Sequence, residues 1–298
     1  MNWLFIVFAR ILIGNGLFPI IIKNIVGLPS RTRRFAWQFF FCVIFAVVIG
    51  LTISPLKFSW ATWAILGLGF FNGLAALAQW KAIDISLSKT SIFTFWDDVI
   101  AMGLSYFILN ERQYLSTWMY IGICLSLGAV IGFSIHSQKT HDGKNKKTPL
   151  KFFIYVGFYS LIWGVAMFLM RYFGIAKVSG GSFLIPWYAS AFIAAMVILF
   201  FYKQDQAQNK SKTKLKFRDI GIMSILAFII FVSLGLAYIA YQLKPQTIIQ
   251  PFFLIGEMIV PTVIGLYLFK ERKKLDTWEK IYFLIAISGG LLIAFNVH

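Results

Sequence analysis

The stretch FILNERQYLSTW (107–118) returns later in the chain as YLFKERKKLDTW (267–278). The offset, 267 − 107, is 160 positions, and it sets Glu111 on Glu271, Arg112 on Arg272, Thr117 on Thr277 and Trp118 on Trp278. Carried backwards without a gap, it sets Asp97 on Glu257, Ser86 on Gln246, Thr90 on Gln250 and Ala101 on Pro261. Apolar residues match any apolar background, so the polar matches carry the signal. The repeat predicts that one structural unit occurs twice.

Composition says what kind of unit. The 298 residues are 59% hydrophobic and 13% charged, whereas a soluble domain is near half apolar and about 25% charged. The expected fold class is therefore all-α: a polytopic membrane protein, not a soluble core with one anchor. A bilayer span needs roughly 20 apolar residues. Ten such runs can be counted, at about 3–23, 34–54, 60–80, 87–109, 114–135, 151–172, 181–202, 219–241, 247–269 and 277–297. Five runs fall in 1–138 and five in 151–298, with a polar linker at 139–150. An odd number per half forces the halves to face opposite ways, which gives inverted repeats. The first run lacks a separate basic leader and a small-residue cleavage site, and is expected to stay as a helix.

The net charge of +17 resembles a nucleic-acid binder's, but the cations sit between the apolar runs. They concentrate after the odd-numbered runs: Arg31, Arg33, Arg34; Lys144, Lys146, Lys147; Lys210, Lys212, Lys214, Lys216, Arg218; Lys270, Arg272, Lys273, Lys274. The positive-inside rule places those loops in the cytoplasm of a cell (inner) membrane protein and both termini outside. The lysine-rich loops among these read as topogenic and solvated, with contact to anionic lipids second. No nucleic-acid partner is expected. Cys42 and Cys124 are too few for a disulfide framework and are expected to be small buried hydrophobes. His136, His141 and His298 fall in a loop or at the tail and form no metal cluster; no cofactor is expected.

The chain resembles the drug/metabolite transporter superfamily in its ten-helix form with two EamA-type domains. The likeness rests on the "ER" ends at Glu111 and Glu271 and on the glycine-rich runs IGICLSLGAVIGF and AISGGLLIAF. It also rests on WGVAMFLMR (163–171), echoed weakly by NGLFPIIIK (15–23), and on Pro251 and Pro261, which Ser91 and Ala101 replace in the first half. The second half is the better match. The resemblance implies a transporter and leaves its substrate open. It also implies a dimer or repeat contact at the fifth and tenth helices, for which Gly122, Gly128, Gly132, Gly289 and Gly290 suit close packing.

Acidic residues within spans point to chemistry. An Asp at the centre of a span costs about 2.5–3.5 kcal/mol on insertion scales, and Asp97 and Asp98 stand together. At about 100° per residue, Ser86, Thr90, Thr94, Asp97, Ala101 and Ser105 share a stripe on the fourth helix. Gln246, Gln250, Glu257 and Pro261 share the matching stripe on the ninth. Such stripes must face protein or a wet cavity. Asp97 is favoured over Asp98, which points about 100° away, because the repeat-mate of Asp97 is also acidic. Arg10, about two turns into the first span, is expected to face the cavity and pair with Asp97 or Asp98. One cation against three carboxyls leaves an excess that a proton or bound cation would neutralise. Each of these groups could instead be a structural ion pair or hydrogen-bond node, and Arg10 could snorkel.

Asn15, Asn72 and Gln79 can line a cavity or bond neighbouring helices. Trp96, with Trp80, Trp163, Trp187 and Tyr241, can stack on a substrate or fill the core and interface. Glu111, Arg112, Glu271 and Arg272 read as caps or salt bridges at the 4–5 and 9–10 corners. The expected function is secondary transport of a small polar or amphiphilic, amino-acid-like metabolite by alternating access. Both proton coupling and facilitated exchange fit. Membrane lipids surround it, and no Walker motif supplies ATP drive. An intramembrane enzyme with paired carboxyls is the alternative, but adjacent residues on one helix diverge, and no HExxH or Cys–His pair accompanies them. The chain is therefore not read as an enzyme. A lipid-moving membrane protein is the third reading.

Overall fold

A computed structural model describes residues 3–28, 30–114, 116–139, 149–206, 215–271 and 276–296. Lys144, Lys146, Lys147, Lys210, Lys212, Lys214, Arg272, Lys273, Lys274, His141 and His298 lie outside the described residues. Among the described residues every regular element is helical. In chain order they are α1 (Trp3–Ile25), α2 (Arg31–Ile53), α3 (Trp60–Ile85), α4 (Leu87–Ile108), α5 (Thr117–Lys139), α6 (Leu150–Ile175), α7 (Gly180–Gln206), α8 (Phe217–Leu243), α9 (Gln246–Leu268) and α10 (Thr277–Phe295). Eight of them, α1–α4 and α6–α9, are long and apolar enough to cross a membrane. The chain is an all-α polytopic membrane protein.

The chain forms two compact units. The first comprises 1–80 and 169–243, the second 81–168 and 244–298. The division falls inside α3 after Trp80 and inside α6 after Phe168. The first unit thus joins a segment from before the 139–150 linker to one from after it, whereas the second unit's 81–168 segment contains that linker.

In the first unit α2 packs on α7 and α8, and α1 packs on α8. Contact is close where α3 meets α7, because Gly73 leaves no room for a side chain: a Cβ there would lie 2.8 Å from the Ala191 carbonyl oxygen. The core is aromatic, with Phe183 stacked on Tyr238 at 4.1 Å between ring centroids and Trp187 fully buried. α1 widens into a π-helical stretch over Ile11–Leu17, directly after Arg10. At the start of α2, Arg34 is buried and pairs with Asp219 at 3.1 Å. Arg31 Nε donates to the Val26 carbonyl at 2.6 Å. Arg31 and Arg34 thus hold the entry to α2 by satisfying, respectively, a helix-end carbonyl and a carboxylate.

In the second unit α4 and α9 pack against each other, and α5 packs along α10. Phe93 anchors the core, with Phe133 and Phe152 both edge-on at 5.7 Å. Glycines set the α5–α10 contact. A Cβ on Gly289 would meet the Gly122 carbonyl oxygen at 2.7 Å, and one on Gly132 would run into the Tyr282 ring. Gly128, in contrast, has nothing within 4 Å. A capping box opens α10: the Glu279 amide donates to Asp276 Oδ1 at 2.7 Å, and the Asp276 amide donates back to Glu279 Oε2 at 3.3 Å. His136 reaches Asp276 at 2.8 Å, and Lys89 pairs with Glu279 at 2.9 Å. Of the two cysteines, Cys42 is buried and Cys124 is exposed. The expectation of two buried thiols fails at Cys124, because an apolar lipid-facing surface accepts a thiol as readily as a core does.

A candidate carboxylate site

The site lies in the second unit, where α4 and α9 carry three acids. Carboxylate oxygens of Asp97, Asp98 and Glu257 all lie within 4.8 Å of one another. Asp97 and Asp98 are fully buried; Glu257 is half-buried as a residue, with its carboxylate in the cluster. At an effective dielectric of 20, two unit charges at this distance repel by about 3.5 kcal/mol. A proton, a cation or a basic group must therefore offset the charge. Three carboxylates form an oxygen-rich ligand set suited to a hard cation.

Local backbone chemistry brings α4 to this point. The hydroxyls of Thr90, Ser91 and Thr94 donate back to carbonyls three or four residues earlier: Thr90 Oγ1 to Ser86 O at 2.6 Å, Ser91 Oγ to Leu87 O at 3.0 Å and Thr94 Oγ1 to Ser91 O at 2.9 Å. Such back-bonding competes with the helical ladder and bends helices. The helix breaks at Thr94 and restarts at Phe95, so that both aspartates lie in the first turn of the new segment. On α9, Pro251 and Pro261 lie within the helix, and the turns after Pro261 widen into a π-helical stretch, Ile264–Leu268. Each proline removes an amide donor from the ladder.

A donor chain leads from α9 to the acids. Ser105 Oγ donates to Gln246 Oε1 at 2.6 Å, and Gln246 Nε2 donates to Gln250 Oε1 at 3.3 Å. Gln250 Nε2 donates to Asp98 Oδ1, and it also lies 3.3 Å from the Met167 sulfur. These glutamines are fully buried, so their hydrogen bonds fix the side chains rather than compete with water. Asp98 rather than Asp97 receives the glutamine. The expected divergence of the two aspartates does not separate them, since both belong to the cluster. α6 closes one side: a Cβ on Gly164 would lie 2.8 Å from the Asp97 carbonyl oxygen and 2.7 Å from Ile100 Cβ.

The remaining sequence candidates divide between the units. Thr94 is buried beside the aspartates on α4, whereas Trp96 is 37% exposed. Arg10, Asn15 and Asn72 belong to the first unit and are buried there. Arg10 Nη1 donates to Asn15 Oδ1 at 3.3 Å. Sequence reasoning passed over Met167 and gave Gly164 no role in the site. The Trp-Gly pair of WGVAMFLMR carried a signal for Gly164, since a glycine inside a helix marks close approach. Met167 gave none, because a methionine in an apolar run looks like filling.

No family model matches the chain, and no curated protein matches it. Twenty-seven chains of solved structures do match. One of these, a protein known by its crystal structure, is 14% identical, with a TM-score of 0.65 over 99% of this chain and 98% of that one. At such identity the likeness speaks for the fold alone. The fold and the buried acids together define a class, an integral helical membrane protein with ionisable groups inside its spanning segments.

Proposed function

We propose that the protein is a secondary transporter of a small polar or amphiphilic metabolite, working by alternating access and coupled to a proton or hard cation at Asp97, Asp98 and Glu257. The observation that carries this reading is the convergence of three carboxylates within 4.8 Å on helices long and apolar enough to cross a membrane. Ionisable groups at such depth are costly and mark ion or substrate pathways by default. Support for a duplicated ten-helix architecture comes from helices at all ten apolar runs. It comes too from the 160-residue repeat, which pairs Asp97 with Glu257. The same repeat and the ER, Trp-Gly and proline motifs favour the drug/metabolite transporter superfamily. The lysine- and arginine-rich odd loops favour a cell-membrane orientation with both termini outside.

A thermal-shift screen of the purified protein against metabolite pools identifies a ligand, and uptake of that ligand into proteoliposomes is then measured under imposed pH and sodium gradients. The expected result is gradient-stimulated uptake that falls about tenfold or more in Asp97→Asn, Asp98→Asn or Glu257→Gln. A triple neutral variant that still takes up the ligand at the parent rate would refute the site. Uptake indifferent to every imposed gradient would remove the coupling and leave exchange.

A further inference from the structure

Two further buried carboxylates stand just past the ends of α4 and α9. Glu111 and Glu271 are 4% and 2% exposed, and both reach to the opposite helix of the pair. Glu271 extends to the start of α4. It accepts from the Leu87 amide at 3.1 Å, the Ser88 amide at 2.9 Å, Ser86 Oγ at 3.0 Å and Ser88 Oγ. Glu111 extends to the start of α9, where it accepts from the Thr247 amide at 3.1 Å and from Thr247 Oγ1 at 3.3 Å. The donors obey the sequence repeat, since 87 + 160 is 247 and 111 + 160 is 271. Each helix of the pair is thus capped by a residue just beyond the end of its partner. Helix starts present unsatisfied amides and a partial positive charge, so a buried carboxylate there is held by several donors at once.

Space for these caps is built in. A Cβ on Gly265 of α9 would lie 3.0 Å from the Ser88 amide nitrogen and 3.2 Å from Glu271 Oε2. Between the caps the helices run antiparallel and touch through polar pairs. Ser91 Oγ meets Thr262 Oγ1 at 3.1 Å towards the Glu271 end, and Ser105 meets Gln246 at 2.6 Å towards the Glu111 end. Asp97, Asp98 and Glu257 lie between these contacts in the sequence order of both helices.

We propose that Glu111 and Glu271 are reciprocal positioning residues, which fix the register of α4 against α9 from both ends and so set the separation of Asp97, Asp98 and Glu257. The inference takes that carboxylate cluster as the working site proposed above, but its test needs neither substrate nor flux. In a background with Cys42 and Cys124 changed to alanine, two cysteine pairs report register: Ser91→Cys with Thr262→Cys, and Ser105→Cys with Gln246→Cys. Oxidant-driven cross-linking of each pair is timed in protein that elutes as a single species. Glu271→Gln keeps one acceptor oxygen and is expected to slow the first pair about tenfold and the second less than about twofold. Glu111→Gln is expected to do the reverse, and Gly265→Ala to act like Glu271→Gln. Alanine in place of either glutamate should slow its own pair further; if those variants do not fold, the glutamine forms still decide. Unchanged rates, or equal slowing of both pairs, would overturn the proposal, because a general loss of stability is not specific to one end. A protein that transports nothing but shows end-specific slowing would refute the transport reading alone.

Discussion

Gly289 and Gly290 are adjacent on α10, and their surroundings predict opposite responses to one added methyl group. At Gly289 a Cβ would run into Ser126 Oγ and would lie 2.7 Å from the Gly122 carbonyl oxygen and 2.9 Å from the Ser126 amide nitrogen. Two of those atoms are backbone of α5, so relief requires the helices to part. At Gly290 the nearest atoms are Ile255 Cγ1 at 3.6 Å and Met258 Sδ at 4.0 Å, which is ordinary contact. Both Gly→Ala changes gain about 0.8–1.0 kcal/mol of helix propensity. Only Gly289→Ala also carries the overpacking cost, about 1–3 kcal/mol. The shared gain cancels in the comparison, so Gly289→Ala should be less stable than Gly290→Ala by about 1–3 kcal/mol. For a chain of this size each kcal/mol moves a thermal midpoint by roughly 2–4 °C. Midpoints of the two purified variants, measured by loss of the monodisperse peak on heating in one detergent, give the difference directly. If Gly289→Ala melts at or above Gly290→Ala, the close α5–α10 contact is wrong.

Gly164 on α6 is packed as tightly as Gly289. Alanine there presses on the Asp97 carbonyl and Ile100 and should lower both thermal stability and ligand response in the thermal-shift screen; at Gly157, where nothing lies within 4 Å, alanine should lower neither. Asp276 gives an acid-limb prediction. Burial pushes its carboxyl up, but hydrogen bonds from the Glu279 amide and the His136 ring, together with the histidine's charge, outweigh burial and hold it below the ordinary value. A carboxyl depressed in the folded state stabilises above its unfolded pKa, near 3.9, and that contribution is lost as pH falls through the folded value. The thermal midpoint of Asp276→Asn should therefore lie below the parent's near pH 7 and converge on it below about pH 4. A gap that is constant across this range would refute the carboxylate's role.

Composition and one-dimensional pattern determined the class of this protein and the position of its elements. Apolar runs marked where helices form, because each must satisfy its own backbone away from water. The matched "ER" segments and the cost of burying Asp97, Asp98 and Glu257 single out these residues from sequence alone. Sequence could not say that Asp98, not Asp97, receives Gln250, since a helical wheel gives a residue's place on its own helix and not which side chain of the facing helix meets it. Nor could it say where Glu111 and Glu271 reach. Their repeat relation was legible, and a cap was expected at the nearby corners. Only tertiary packing decided that each carboxylate serves the opposite helix, because the open amides of a helix start recruit whichever buried acceptor the fold brings nearest. The same holds for Arg34 and Cys124, one drawn into an ion pair with Asp219, 185 residues further along the chain, the other left on an apolar surface that looked like core.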